Sequence, residues 1–142
     1  MAKRRKQTKL TGPAAELVRW ARVCRVATVS PEGVPHLVPV CHALAGQKLY
    51  LGSGNEATKV RNLKSTPRIT LTVDEYSEHW ASLKGVMIQG RARLIERGPE
   101  FTRAREALYD KYPQYPKEAA LATSDSVIVE VTPSHVFAWG LK

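Results

Sequence analysis

Two prolines, Pro35 and Pro39, stand inside an extended-looking run at residues 34–44. Proline has no N–H to give to a ladder, so this run fits only at the edge of a sheet or where its ladder is broken. A β-branched stretch, residues 25–30, precedes it across Pro31-Glu32-Gly33. In that turn proline presets one dihedral and glycine supplies a positive φ. The two stretches therefore read as a hairpin whose second strand is an edge.

The rest of the chain supplies further strands. Ala45-Gly46-Gln47 turns into a third one at residues 48–51, which Gly52-Ser53-Gly54-Asn55 breaks before a short helix over 56–64. Residues 68–74 alternate apolar and polar, and residues 83–95 form a long strand in which Gly85 and Gly90 mark bends or bulges. Residues 126–131 and 135–139 are two last strands, joined at Thr132-Pro133-Ser134. Two longer helices flank them. Thr11 caps the first, which has Pro13 in its first turn and ends near Val23. Gly98-Pro99-Glu100 opens the second, with Phe101, Ala104, Leu108 and Tyr112 on its apolar face. About seven strands joined mostly by short turns give a mainly antiparallel sheet, which at this size closes into a small barrel.

At 142 residues the chain suits a single domain, with residues 11–142 as its body. Of its net charge of +9, much comes from Lys3, Arg4, Arg5, Lys6 and Lys9, so residues 1–10 read as a basic, disordered, solubilising tail. A nucleic-acid partner is not expected, because no run of aromatics accompanies the basic residues. No apolar run is long enough to span a bilayer and none follows the basic start as a signal would, so the expected location is cytoplasmic, without a membrane. Cys24 and Cys41 are expected to be reduced, buried thiols. The histidines, at 36, 42, 79 and 135, lack metal-ligand spacing, and no metal is expected.

Three features carry chemistry. A strand end, the 52–55 loop and a helix bearing Lys59 and Arg61 form the first. Helix N-terminal amides attract phosphate, Ser53 and Asn55 add donors, and the two basic residues add full charge. The second is the proline-interrupted run, whose free backbone groups suit the hydrogen-bonding edge of a planar ring. The third is Trp80, in a polar loop, with Trp139 near the end of the chain; such aromatics stack on rings or fill interfaces. No nucleophile has a readable base, so the catalytic residues are unknown and hydrolytic triads have no support. Cofactor chemistry fits better, since there the protein binds and orients.

The order Arg25-x-Ala27-Thr28-Val29, Glu32-Gly33-x-Pro35-His36-x-x-Pro39-Val40, Lys59-x-Arg61-Asn62-Leu63, Pro67-Arg68-Ile69-x-Leu71-x-Val73-Asp74, Gly90-x-Ala92 resembles the pyridoxamine 5'-phosphate oxidase-like split-barrel superfamily. Val73-Asp74-x-Tyr76-x-x-x-Trp80 and Tyr112-Pro113-Gln114-Tyr115 are similar to a branch dependent on the deazaflavin coenzyme F-420. The resemblance implies a mainly β fold with flanking α: a six- to seven-stranded antiparallel split β-barrel with two to three helices. It also implies a homodimer with two cofactor sites at the interface, and an oxidoreductase that moves hydride to or from a small unsaturated substrate through coenzyme F-420 or FMN. Lys59 would contact the cofactor phosphate, with Ser53, Arg61 and Asn62 nearby. Val38, Pro39 and Val40 would line the ring through backbone atoms, and Trp80 would come from the interface loop. The substrate-phosphate residues of true pyridoxamine phosphate oxidases are not evident in Val136-Phe137-Ala138-Trp139-Gly140. An FMN-dependent oxidase of that kind is one alternative, and a non-catalytic flavin- or haem-binding protein is another.

Overall fold

A computed structural model describes residues 7–141. Leu17 and Val18, on one face of α1 (Gly12–Trp20), drive that helix onto the sheet with Ala14 and Ala15, while Glu16 and Arg19 face water. The helix stops at Trp20 rather than near Val23, because Ala21 is already extended and gives its N–H back to Leu17. Then follow β1 (Cys24–Val29), β2 (Pro35–Val40), β3 (Ala43–Ala45), β4 (Lys48–Gly54), α2 (Thr58–Ser65), β5 (Arg68–Glu75), β6 (Lys84–Ile95), α3 (Pro99–Lys111), a short α4 (Tyr115–Glu118) and β7 (Ser126–Trp139). Trp80–Ser82 is a single 3₁₀ turn between β5 and β6.

All seven strands join one antiparallel sheet in the order β2-β1-β5-β6-β7-β4-β3. The sheet curls into a half-barrel whose ends, β2 and β3, are not paired with each other. The proline-bearing strand is therefore an edge, as the missing N–H groups require. Val26, Leu71, Val73, Val86, Ile88, Val129 and Val131 fill the concave side with Leu49, Leu51 and Leu63. A second cluster, Phe101, Ala104, Leu108 and Tyr112 against Ile95, Ile128 and Leu121, seats α3 and α4 on the outer face near β4.

Three strand boundaries also differ from the sequence expectation. The run at 34–44 is two strands at opposite edges of the sheet, parted at Cys41-His42. Gly52-Ser53-Gly54 does not break the third strand but belongs to it, pairing with Ile128, Val127 and Ser126. Gly52 is there for space: a Cβ would overlap the Tyr115 hydroxyl and the Leu121 side chain. The last two strands are one, β7, whose register with β6 shifts at Gln89/Gly90 to take up the extra residue. Pro133 is tolerated because β4 pairs only with residues 126–131, so the second half of β7 has an open side.

Residues 1–6 of the expected tail lie outside the described residues. Gln7 to Leu10 are docked: Val136 N–H donates to Gln7 O (2.6 Å), and Gln47 clasps the Leu10 backbone with bonds of 2.9 and 2.7 Å. Leu10 is 1% exposed, and its burial contributes about 2 kcal/mol. Cys24 is buried, but Cys41, at the crossover between edges, is exposed rather than buried. No helix among the described residues is long and apolar enough to cross a membrane.

Candidate functional site

Beyond Gly54 the chain is fixed by Asn55 N–H to Asp125 O (2.9 Å) and Ala57 N–H to Gly54 O (3.2 Å), and α2 begins. Val60 and Arg61 both donate to Ala57 O. Helix geometry leaves the amides of Thr58 and Lys59 without an intrahelical acceptor. Lys59 is half-buried, and burial holds its ammonium below the usual lysine range. No carboxylate pairs with it among the described residues. An uncompensated cation beside open amides is an arrangement that an incoming anion would complete.

The neighbouring candidates have different surroundings. Arg61 is exposed and reaches Thr58 Oγ1 (3.3 Å). Ser53 is 7% exposed and already donates its hydroxyl to Gly54 O (3.0 Å). Asn62 is buried, and its Nδ2 donates to Thr28 Oγ1 on β1 (3.1 Å), tying α2 to the sheet.

Thr28 stands opposite His36 in the β1–β2 register. His36, Val38 and Val40 share the half-buried side of β2, while Pro35, Leu37 and Pro39 are exposed on the other. Because the prolines cannot donate, the ladder bonds to β1 fall to His36, Val38 and Val40. The open edge then offers the carbonyls of Pro35, Leu37 and Pro39 and the N–H of Leu37. Val38 and Val40 thus face the α2 side with side chains rather than free backbone groups. His36, part of the run picked out in the sequence but not one of the expected contacts, buries an Nδ1 that has no hydrogen-bond partner among the described residues. The alternation of β2 could have found it, because it shares parity with Val38 and Val40.

Trp80 is not brought to this group within one chain. It is 73% exposed in the β5–β6 connection, its indole N–H on the Tyr76 hydroxyl (3.4 Å). Following β1 from Thr28 to Arg25, then β5 from Thr72 to its end, puts that connection about 20 Å from Thr28 at ~3.3 Å per residue.

Among the described residues, the outer face of β2, β1, β5 and the adjoining halves of β6 and β7 carries no helix. Leu37 (67% exposed), Val29, Phe137 and Trp139 lie on it. Trp139 lies against Gly85, where a Cβ would collide with the indole, and its ring centroid is 6.0 Å from that of Phe137. Exposed apolar groups gathered on one sheet face are what an association surface requires. Among the described residues no group of three His, Cys, Asp or Glu side chains is placed to hold a metal.

A family model described as pyridoxamine 5'-phosphate oxidase matches residues 10–140. No curated protein matches the chain. Among solved structures, a conserved hypothetical protein from Mycobacterium tuberculosis superposes with a TM-score of 0.77 at 20% identity, over 96% of this chain and 89% of its own. The haem storage protein of Vibrio cholerae gives 0.77 at 15% identity, over 91% and 94%. An FAD-binding protein from Mesorhizobium loti gives 0.73 at 19%, over 87% of each chain. At these identities the likeness is one of fold.

Proposed function

The chain belongs to the pyridoxamine 5'-phosphate oxidase family, and from that premise we propose that it is a homodimeric oxidoreductase holding a phosphate-bearing flavin or deazaflavin, FMN or coenzyme F-420, between β2 and the start of α2. The observation that carries this reading is the half-buried Lys59 ammonium, with no carboxylate partner among the described residues, beside the amides that open α2. The orphaned His36 Nδ1 on the adjoining strand also fits a polar ligand at this place.

In this reading Lys59 and the Thr58 and Lys59 amides bind the cofactor phosphate, and exposed Arg61 adds charge. Asn62 acts through Thr28, holding α2 at its angle to β1, and Ser53 braces the chain where β4 enters the turn. The Val38 and Val40 side chains line the ring, and the Leu37 and Pro39 edge offers its backbone groups. When bound, the cofactor supplies hydride chemistry; the protein orients it and excludes water. A second copy docked on the Leu37–Phe137–Trp139 face closes the site, and Trp80 of the partner subunit supplies what its own chain is too short to reach. A small, planar, unsaturated substrate would then lie over the ring.

Turnover tests the reading. Under anaerobic conditions, chemically reduced FMN or reduced coenzyme F-420 is mixed with the protein and a panel of quinones and enones. The oxidised cofactor's absorption should return at a rate proportional to protein concentration. Cofactor that binds with no turnover on any acceptor would favour a flavin carrier, and a haem Soret band with no flavin binding would favour haem storage.

A further inference from the structure

The sheet carries a second cationic group on its outer face, without a carboxylate partner among the described residues. Arg68 opens β5 and stands directly opposite Arg91 of β6. Both are exposed and share the face of Thr70 and Gln89, since Ile69, Leu71 and Ile88 between them point into the core. Like charges on directly opposed residues of an antiparallel pair destabilise it, with Cβ atoms only ~5 Å apart.

Neighbouring cations on the sheet show what the chain does elsewhere. Arg93, two residues on from Arg91, is held by Glu100 and Glu130; Arg25 meets Asp74 at 3.1 Å; Lys84 meets Glu75 at 3.2 Å. Arg68 and Arg91 have no carboxylate among the described residues, and the side chains of Thr70, Gln89 and His135 likewise make no hydrogen bond with another described residue. These five side chains, with Ile69, Gly90 and Ser134, line a concavity of about 360 Å³. Gly90 lets β6 and β7 approach closely at the bulge, since a Cβ there would strike the Thr132 carbonyl at 2.5 Å, and the register shift beside it brings Ser134 and His135 to the rim. Ser134 is locked by its own bond to Gln89 O (3.1 Å).

We propose that this concavity is a phosphate-binding site in which the Arg68 and Arg91 guanidinium groups clamp one phosphate group, with Gln89, Thr70 and His135 as further donors. Two planar forks suit a tetrahedral oxyanion, and the bound anion removes the repulsion between them. The phosphate comes either from a free phosphate or phosphoester, or from the phosphate-bearing tail of the cofactor reaching round the β5 end of the sheet.

The test is thermal unfolding in sodium phosphate against sodium chloride at equal ionic strength. It is run in Lys59→Ala so that the α2 site does not contribute. Phosphate should raise the midpoint well beyond chloride, and Arg68→Gln or Arg91→Gln, added to Lys59→Ala, should weaken that effect at least tenfold in phosphate concentration. Arg91→Lys, which keeps the charge and loses the fork, should retain part of it. Without phosphate the glutamine variants should melt no lower than their parent, because a repulsion has gone. A second arm compares FMN with riboflavin in Arg68→Gln/Arg91→Gln with Lys59 intact. A loss confined to FMN assigns the clamp to the cofactor's phosphate, and unchanged FMN assigns it to a free phosphate or phosphoester. The proposal is overturned if phosphate acts no differently from chloride while FMN affinity is also unchanged, or if the glutamine variants keep the full phosphate effect.

Discussion

Lys59→Ala should weaken FMN about ten- to a hundredfold while riboflavin binding barely changes. A charge-assisted hydrogen bond to phosphate is worth roughly 1.5–3 kcal/mol, and about 1.4 kcal/mol is tenfold in affinity. The free protein should not lose stability, since burial already disfavours the Lys59 charge and no carboxylate among the described residues pairs with it. Added salt should shrink the difference between wild type and variant, because the half-exposed amine is screened. Equal losses for FMN and riboflavin, or a lowered melting temperature, would instead make Lys59 a structural lysine.

A comparably large effect is expected from His42, in the link between β2 and β3. Its ring is fully buried between α1 and α3, with Nε2–H donating to Val18 O (2.7 Å). Lys111 holds the Ala21 carbonyl at 2.7 Å, and its Nζ is 3.5 Å from the ring. Burial first, then the charges of Lys111 and Arg22, lower the His42 pKa from 6.5 to about 4. The folded state therefore refuses a proton that the unfolded chain accepts below about pH 6.5. Stability should fall as pH drops from 6.5 towards 4, by about 2–3 kcal/mol at pH 4.5. Glu130, held below the ordinary carboxylate range against its own burial by Arg93, Lys48 and Tyr50, adds its loss at still lower pH. Urea unfolding at pH 7 and pH 4.5 should show this slope in the wild type and most of it gone in His42→Gln. An equal slope in both would take His42 out of the acid response.

What was legible in the sequence followed from residues with one chemical consequence. Pro35 and Pro39 cannot donate, so β2 fitted only an edge or a broken ladder, and it is an edge. The face Phe101, Ala104, Leu108 and Tyr112 was readable from helical spacing and is buried as a set. Glycine was ambiguous because it serves both flexibility and close packing. Gly52 looked like a breaker but makes room inside a strand for Tyr115 and Leu121, distant residues that local pattern does not reveal. Thr132-Pro133-Ser134 looked like a turn and is a bulge, since the end of β4 leaves the proline an open side.

The same divide runs through the site. Lys59 and Arg61 were found from a strand followed by a basic helix, a local signal. Two other features depend on cross-strand register: His36 opposite Thr28, and Arg68 opposite Arg91. No stretch of sequence displays a register until the strands are paired. The bare outer face is likewise a product of topology, since α3 and α4 cover only the β4 side of it.

The most direct test of the account is sedimentation velocity of the wild-type protein with FMN, and separately with coenzyme F-420, followed at the cofactor's own absorption band. A cofactor held at a dimer interface should sediment with a particle of about twice the 15.8 kDa chain mass, at one cofactor per chain. Cofactor that stays behind as free dye for both compounds, or that travels with a single 15.8 kDa chain, would contradict it.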